Sequence, residues 1–372
     1  MTALAGAPAF AAEDAYVAFA YTGEYARSVG AQPAGDAYAD QFHLSAGLDS
    51  QRLGWGGGQF VIELTHRTGT ALEQELALPL LQQVQSVYGA GDVTRLTRLS
   101  YRHAFQAVPL TVTAGRLYPN ADFLAFSCHY QHMSFCGGAP GNVTNGWFAD
   151  PVSQYGAVLA LDATPAVQLK LGAYDVNPGH AASGAGLRLE SSGGSTGTLV
   201  IGEIERSDGA RGRWRLGTWH DSSAYALLSG ADVDAAPAMR HHETGSYLSI
   251  ERTLARLPSG ATLHGFLNIV RADAYTNAVD RLDAIGVWLD APFAARPDDR
   301  LALAVGRTQV NGRLLRGEQA DAAVHAEYPV ELNYSAVIGP WLTLMPNLQR
   351  IRQTGPGARS LTVFGLRVEL AL

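Results

Sequence analysis

Lysine is almost missing from this chain: Lys170 is the only one among 372 residues, so its basic side chains are otherwise arginines. Charge of either sign is sparse, at 16% of residues against roughly 25% in ordinary soluble domains. The formal balance is −7, which predicts no basic face for nucleic acid or anionic lipid. Long apolar runs are absent too; none approaches the ~18 residues that a membrane-spanning helix requires. Cysteine is down to two. Disorder is excluded from the other side, because 47% hydrophobic residues can bury a core. Those exclusions leave a soluble β-rich chain or a membrane β-barrel, whose apolar residues are spread by alternation.

Alternation is what the sequence then shows. Phe60, Ile62 and Leu64 interleave with Val61, Glu63 and Thr65, and Val167, Leu169 and Leu171 with Gln168 and Lys170. Near the end, Phe364, Leu366, Val368 and Leu370 face away from Gly365, Arg367 and Glu369. Period two with one greasy face is the mark of half-buried strands. About sixteen such segments run from Tyr16–Thr22 to Leu361–Ala371. Helical spacing is confined to Ala71–Val87, where Leu72, Leu76, Leu80 and Leu81 predict a helix. The connections mostly alternate long (Arg67–Asp92, Leu117–Val152, Val176–Gly197) and short (Arg52–Gly58, Ala104–Pro109, Asp162–Pro165). Membrane barrels segregate loop lengths to opposite ends in this way, and a soluble sandwich has no reason to. Residues 1–11 end in Ala9-Phe10-Ala11, the small-x-small pattern of a signal-peptide cleavage site, leaving 12–372 as one domain.

Motifs for other chemistry weigh less. Gly193-Gly194-Ser195-Thr196-Gly197 fits the nucleophile-elbow pattern, but a strand follows it where that motif requires a helix. His241 and His242 are adjacent, and neighbours on extended chain point opposite ways. No catalytic residue, metal site or cofactor is therefore expected.

Several motifs resemble the carbohydrate-selective porins of the OprB type. They include Gly47-Leu48-Asp49 followed by Gly54-Trp55-Gly56-Gly57-Gly58-Gln59-Phe60, and Leu216-Gly217-Thr218-Trp219-His220-Asp221-Ser222. The stretches Pro340-Trp341-Leu342-Thr343-Leu344-Met345-Pro346-Asn347-Leu348-Gln349 and Phe364-Gly365-Leu366-Arg367-Val368-Glu369-Leu370 are the most specific. The resemblance implies an all-β protein: a 16-stranded antiparallel transmembrane β-barrel with short periplasmic turns and long extracellular loops. It further implies an inward-folded constriction loop at about 117–152, and passive diffusion of mono- or oligosaccharides across a bacterial outer membrane. Expected partners are small carbohydrates, outer-membrane lipid and lipopolysaccharide, and the outer-membrane assembly machinery, with no nucleic acid, in a homotrimer or a monomer. The rival readings are a secreted all-β carbohydrate-binding protein or glycoside hydrolase, and a plugged barrel with an export or envelope role.

Cys128 and Cys136 fall within the longest loop. An even count in an oxidising compartment favours a disulfide. The alternatives are free thiols and a zinc set with His129 and His132, whose spacing matches no common structural pattern. Among strand charges, Arg98 and Arg102 share a face, and Arg116 ends its strand just before the long loop. These three are expected to form an arginine band facing Glu63 and Glu331, approached by Asp122 and Phe123, with Trp219 offering a ring to sugar C–H groups. Opposite charges supply the dense hydrogen-bond partners that hydroxyls need when they shed water.

Overall fold

The computed structural model describes residues 15–30, 34–88, 91–126, 128–190, 194–228, 238–316 and 323–372. The signal-peptide expectation at 1–11 lies outside them. Sixteen strands close into an antiparallel barrel. In chain order they are β1 (Ala15–Ser28), β2 (Asp36–Asp49), β3 (Gly58–Gly69), β4 (Val93–Ala104), β5 (Leu110–Leu117), β6 (Gln154–Thr164), β7 (Val167–Val176), β8 (Gly197–Ser207) and β9 (Gly212–Asp221). A short ribbon of β10 (Tyr225–Ala226) and β11 (Met239–Arg240) lies outside the barrel sheet. The barrel resumes with β12 (Glu243–Arg256), β13 (Thr262–Arg271), β14 (Val279–Asp290), β15 (Arg300–Val310), β16 (Ala326–Val337), β17 (Leu342–Thr354) and β18 (Ser360–Ala371), and β18 pairs with β1.

Alternation fixes what each face meets. On β18, Leu361, Val363 and Arg367 are buried toward the lumen, while Phe364 is 45% exposed outside. Leu44, Ile62, Leu171, Leu216, Ile285, Leu303, Leu332 and Leu348 are exposed in the same manner. An apolar outer belt on a closed barrel is the lipid-facing surface of a membrane-spanning protein, because closure leaves no unpaired sheet edge in hydrocarbon. Inside, bulky rings are accommodated by glycine on the facing strand. Trp219 lies across from Gly245, where a Cβ would come within 2.0 Å of the indole, and Tyr247 across from Gly217.

The two ends differ as the loop lengths predict. Turns such as 105–109, 165–166 and 208–211 join strands at one end, while 70–92, 118–153, 177–196, 222–242 and 311–325 leave the other. The expected helix over Ala71–Val87 is a single turn, Leu72–Glu75, followed later by a 3₁₀ turn at Ser86–Tyr88. Its leucines serve a different purpose. Leu72 and Val84, flanked by Leu76, Leu78 and Leu80, pack onto Ala26, Ala37, Ile351, Leu361 and Val363 of the inner wall. The spacing that suggested a helix is irregular chain wedged into the barrel mouth.

One stretch of wall is not strand against strand. β5 pairs with β4 only from Leu99 downward, so Val93–Arg98 lacks a strand on that side. The 177–196 loop fills the gap. Leu96 N donates to Gly186 O at 2.9 Å, and Arg95 donates to the carbonyls of His180 and Ala181.

Candidate functional site in the lumen

The 118–153 loop enters the barrel and divides its interior. Phe123, Leu124, Val143 and Trp147 pack against Tyr174, Leu199, Ile201, Trp219 and Tyr247. Lower down, Phe126, Tyr130 and Phe135 pack against Phe266, Ala284, Trp288, Ala302 and Ala304. One side of the lumen is thus a dry interface. Strand carboxylates pin the loop backbone: Glu203 accepts from Leu124 N at 2.8 Å, and Glu331 accepts from Gln131 N at 2.9 Å and His132 N at 2.8 Å. The 70–92 loop is held likewise, by Glu24 on Val87 N and by Glu327 on Leu81 N and Gln82 N. Cys128 and Cys136 form a disulfide within the inserted loop, which settles the alternatives in favour of the bond.

Burial sets the protonation of the loop's own groups. His129 and His132 are held down to about 3 by burial, reinforced at His129 by the Arg300 guanidinium. His129 is therefore neutral, and its Nδ1 accepts from Arg300 Nη1 at 2.8 Å. Burial and the neighbouring Glu63 carboxylate raise the Tyr118 phenol, so it stays protonated and donates to Glu63 at 3.2 Å.

The space left over lies against β1, β2, β3 and β18. It is a cavity of about 570 Å³, reaching from Ala18 and Ala371 at the turn end to Ser86 and Val87 at the loop end. The strand side presents Thr22, Gln41, His43, Ser45, Glu63, Arg67 and Arg367; the loop side presents Tyr118, Asn120, Asn142, Thr144, Asn145, Trp147, Phe148 and Asp150. Charges here are matched. Arg67 Nη2 meets Asp150 at 2.7 Å across the gap, and its Nε donates to Gln41 at 2.7 Å. Arg367 Nη2 pairs with Glu369 at 2.7 Å and its Nη1 donates to Tyr130 O at 3.0 Å.

The predicted site residues scatter over this plan. Glu63 lines the cavity, with Arg98 beside it at 4.0 Å. Arg102 shares the inward face with Arg98 but lies nearer the turn end, opposite Gln59 and Thr113. Arg116 goes elsewhere. It sits opposite the lipid-facing Leu99 and donates to the carbonyls of Arg188 and Ser153, so it fastens the wall loop. Phe123 and Trp219 are buried on the dry side, and Lys170 binds the Asp122 carbonyl. Glu331 is wholly buried as a loop anchor. The residues that alternation could have supplied and residue type did not are Gln41 and His43 on β2 and Arg67 on β3, each in phase with Glu63.

Comparison with known proteins follows the same lines. The profile of the family described as carbohydrate-selective porin, OprB family, matches residues 34–372. Porin B of Pseudomonas aeruginosa is 30% identical over 354 residues, covering 86% of this chain and 78% of that protein. The high-pH structure of Pseudomonas putida OprB superposes with a TM-score of 0.89 at 27% identity, covering 96% of this chain and 94% of that one. The outer membrane channel DcaP of Acinetobacter baumannii shares the fold alone, with a TM-score of 0.55 at 11% identity over 96% and 97% of the two chains.

Proposed function

The chain belongs to the carbohydrate-selective porins of the OprB family, and from that premise we propose that neutral sugars cross the outer membrane through the cavity between the inserted loop and β1–β3. The protein is a passive channel and not an enzyme. The observation that carries the reading is the pairing of charge in the cavity. Arg67 with Asp150, and Glu63 with Arg98 and the Tyr118 hydroxyl, give a wall rich in donors and acceptors yet poor in net field. Such a wall replaces the water that a polyol sheds, while a free ion finds no uncompensated partner. Trp147 and Phe148, both lining the cavity, supply apolar ring faces. Binding must remain weak enough for release.

The site residues follow from this path: Glu63, Arg67, Gln41, Asn145 and Asp150 touch the sugar, Arg98 orients Glu63, and the 118–153 loop sets the bore. Arg67→Ala leaves Asp150 unpaired. It is expected to weaken glucose block of ion current in planar bilayers several-fold and to shift the channel toward cations. Arg116→Ala, away from the cavity, should leave block as it was. Unchanged block in the Arg67 variant would move the sugar path away from this cavity.

A further inference from the structure

The barrel's outer surface carries its charge unevenly. At the long-loop end of β13, β14, β15 and β17, outward positions just past the apolar belt hold arginines, and β16 between them holds Tyr328. Arg271 follows Ile269 on β13, Arg281 and Asp283 precede Ile285 on β14, Arg307 follows Val305 on β15, and Arg350 and Arg352 follow Leu348 on β17. One outward step along a strand is about 7 Å, so the band abuts the belt.

Strand register makes these residues a single surface. Arg271 stands opposite Arg281, Asp283 opposite Arg307, and Arg352 opposite Tyr328. Arg307 lies over the Tyr328 ring at 5.9 Å. Arg281, Arg307, Arg350 and Arg352 are exposed. Asp283 is committed to Arg271, and Arg281 and Arg352 have no carboxylate partner among the described residues. Elsewhere on the outer surface arginine is not clustered: Arg27 on β1 stands opposite Asp36, and Arg116 on β5 is turned to the carbonyls of Arg188 and Ser153. The same level of β2, β3, β4, β9 and β12 holds Asp40, His66, Thr94, His220 and Thr244. At the turn end, Arg206 and Arg252 both pair with Asp208.

Like charges placed opposite each other on a sheet are unfavourable unless an anion lies between them. Arginine is the side chain that grips phosphate in two-point fashion, and clustered arginine at a membrane surface selects anionic headgroups. We propose that this sector is a binding site for a phosphorylated glycolipid of the outer leaflet, its phosphates held by Arg281, Arg307, Arg350 and Arg352. The proposal rests on the outer-membrane reading above. It also corrects the expectation drawn from a net charge of −7, since the chain-wide balance conceals a basic sector.

The test compares the native protein with R281Q/R307Q/R350Q/R352Q and with the matching four-lysine variant. Binding of bis-phosphorylated lipid A, its dephosphorylated form and phosphatidylglycerol is read by native mass spectrometry from detergent. The native protein should prefer bis-phosphorylated lipid A, the glutamine variant should bind it at least tenfold more weakly, and the lysine variant should keep most of the affinity. Heat-modifiable gel migration and glucose permeation into liposomes should be alike in all three. Should the glutamine variant fail to fold, the native protein's preference between the two lipid A forms, and its retention by the lysine variant, carry the test. Equal binding of both lipid A forms by the native protein, or of phosphatidylglycerol as tightly, overturns the proposal. Equal binding by a folded glutamine variant does the same, as does a changed oligomeric state with lipid binding intact, which would make the sector a contact between subunits. Loss of glucose permeation in the native protein strikes the channel reading instead and leaves the lipid result standing.

Discussion

Single carboxylates do much of the positioning in this lumen. An ionised carboxylate only accepts hydrogen bonds, and backbone N–H groups of an inserted loop need acceptors. Glu331 serves two consecutive amides of the 118–153 loop and one amide of Asn333. Glu331→Gln keeps the volume but replaces the charge and one acceptor oxygen with a donor. It should cost about 1–3 kcal/mol, seen as a lower unfolding temperature, together with a larger single-channel conductance as the loop loosens. A variant with native conductance would show that other contacts suffice to seat the loop. The inward phase of Glu331 was legible from alternation along β16. Its purpose was not, because the loop it holds lies 200 residues away in sequence.

At the level of elements, the inserted loop is a segment whose seating depends on pH. His129 and His132 sit at about 3 when buried, against roughly 6.5 when exposed. A released loop therefore binds protons that the seated loop excludes. Seating is fully stable above pH ~6.5 and loses stability as pH falls toward 3. Limited proteolysis within 118–153 should accelerate between pH 7 and pH 4, and replacing both histidines by glutamine should flatten that dependence. The loop's existence was legible from length and the cysteine pair; its contacts were not. Strands were legible because period two is imposed by the two solvents, lipid and lumen, that each one separates. The 70–92 leucines misled because wedging against a curved wall also spaces apolar side chains irregularly. Arg116 misled for another reason: its chemical type suggested the lumen, although Thr113 and Gly115, three positions and one position before it, already placed it on the other face.

Considered whole, the molecule is an asymmetric ring. The inserted loop packs apolar side chains against β6–β9 and β12–β15 and leaves a polar cavity along β1–β3 and β18. The barrel's exterior is basic at the long-loop end of β13, β14, β15 and β17. Neither asymmetry is visible in composition, which averages over both. The wall has its own irregularity where Val93–Arg98 rests on the 177–196 loop in place of a strand. A ring of staves bound edge to edge is as strong as its least bound joint. There the strand ladder covers only Leu99–Ala104, and Val93–Arg98 has a few side-chain clamps and one backbone bond among the described residues, so the joint between β4 and β5 should part at the lowest load. Pulled from a bilayer by its C-terminus in force spectroscopy, the chain should yield its hairpins in order from β18, and the step that parts β5 from β4 should need the lowest force. Arg95→Ala should lower the force of that step and leave the earlier ones as they were.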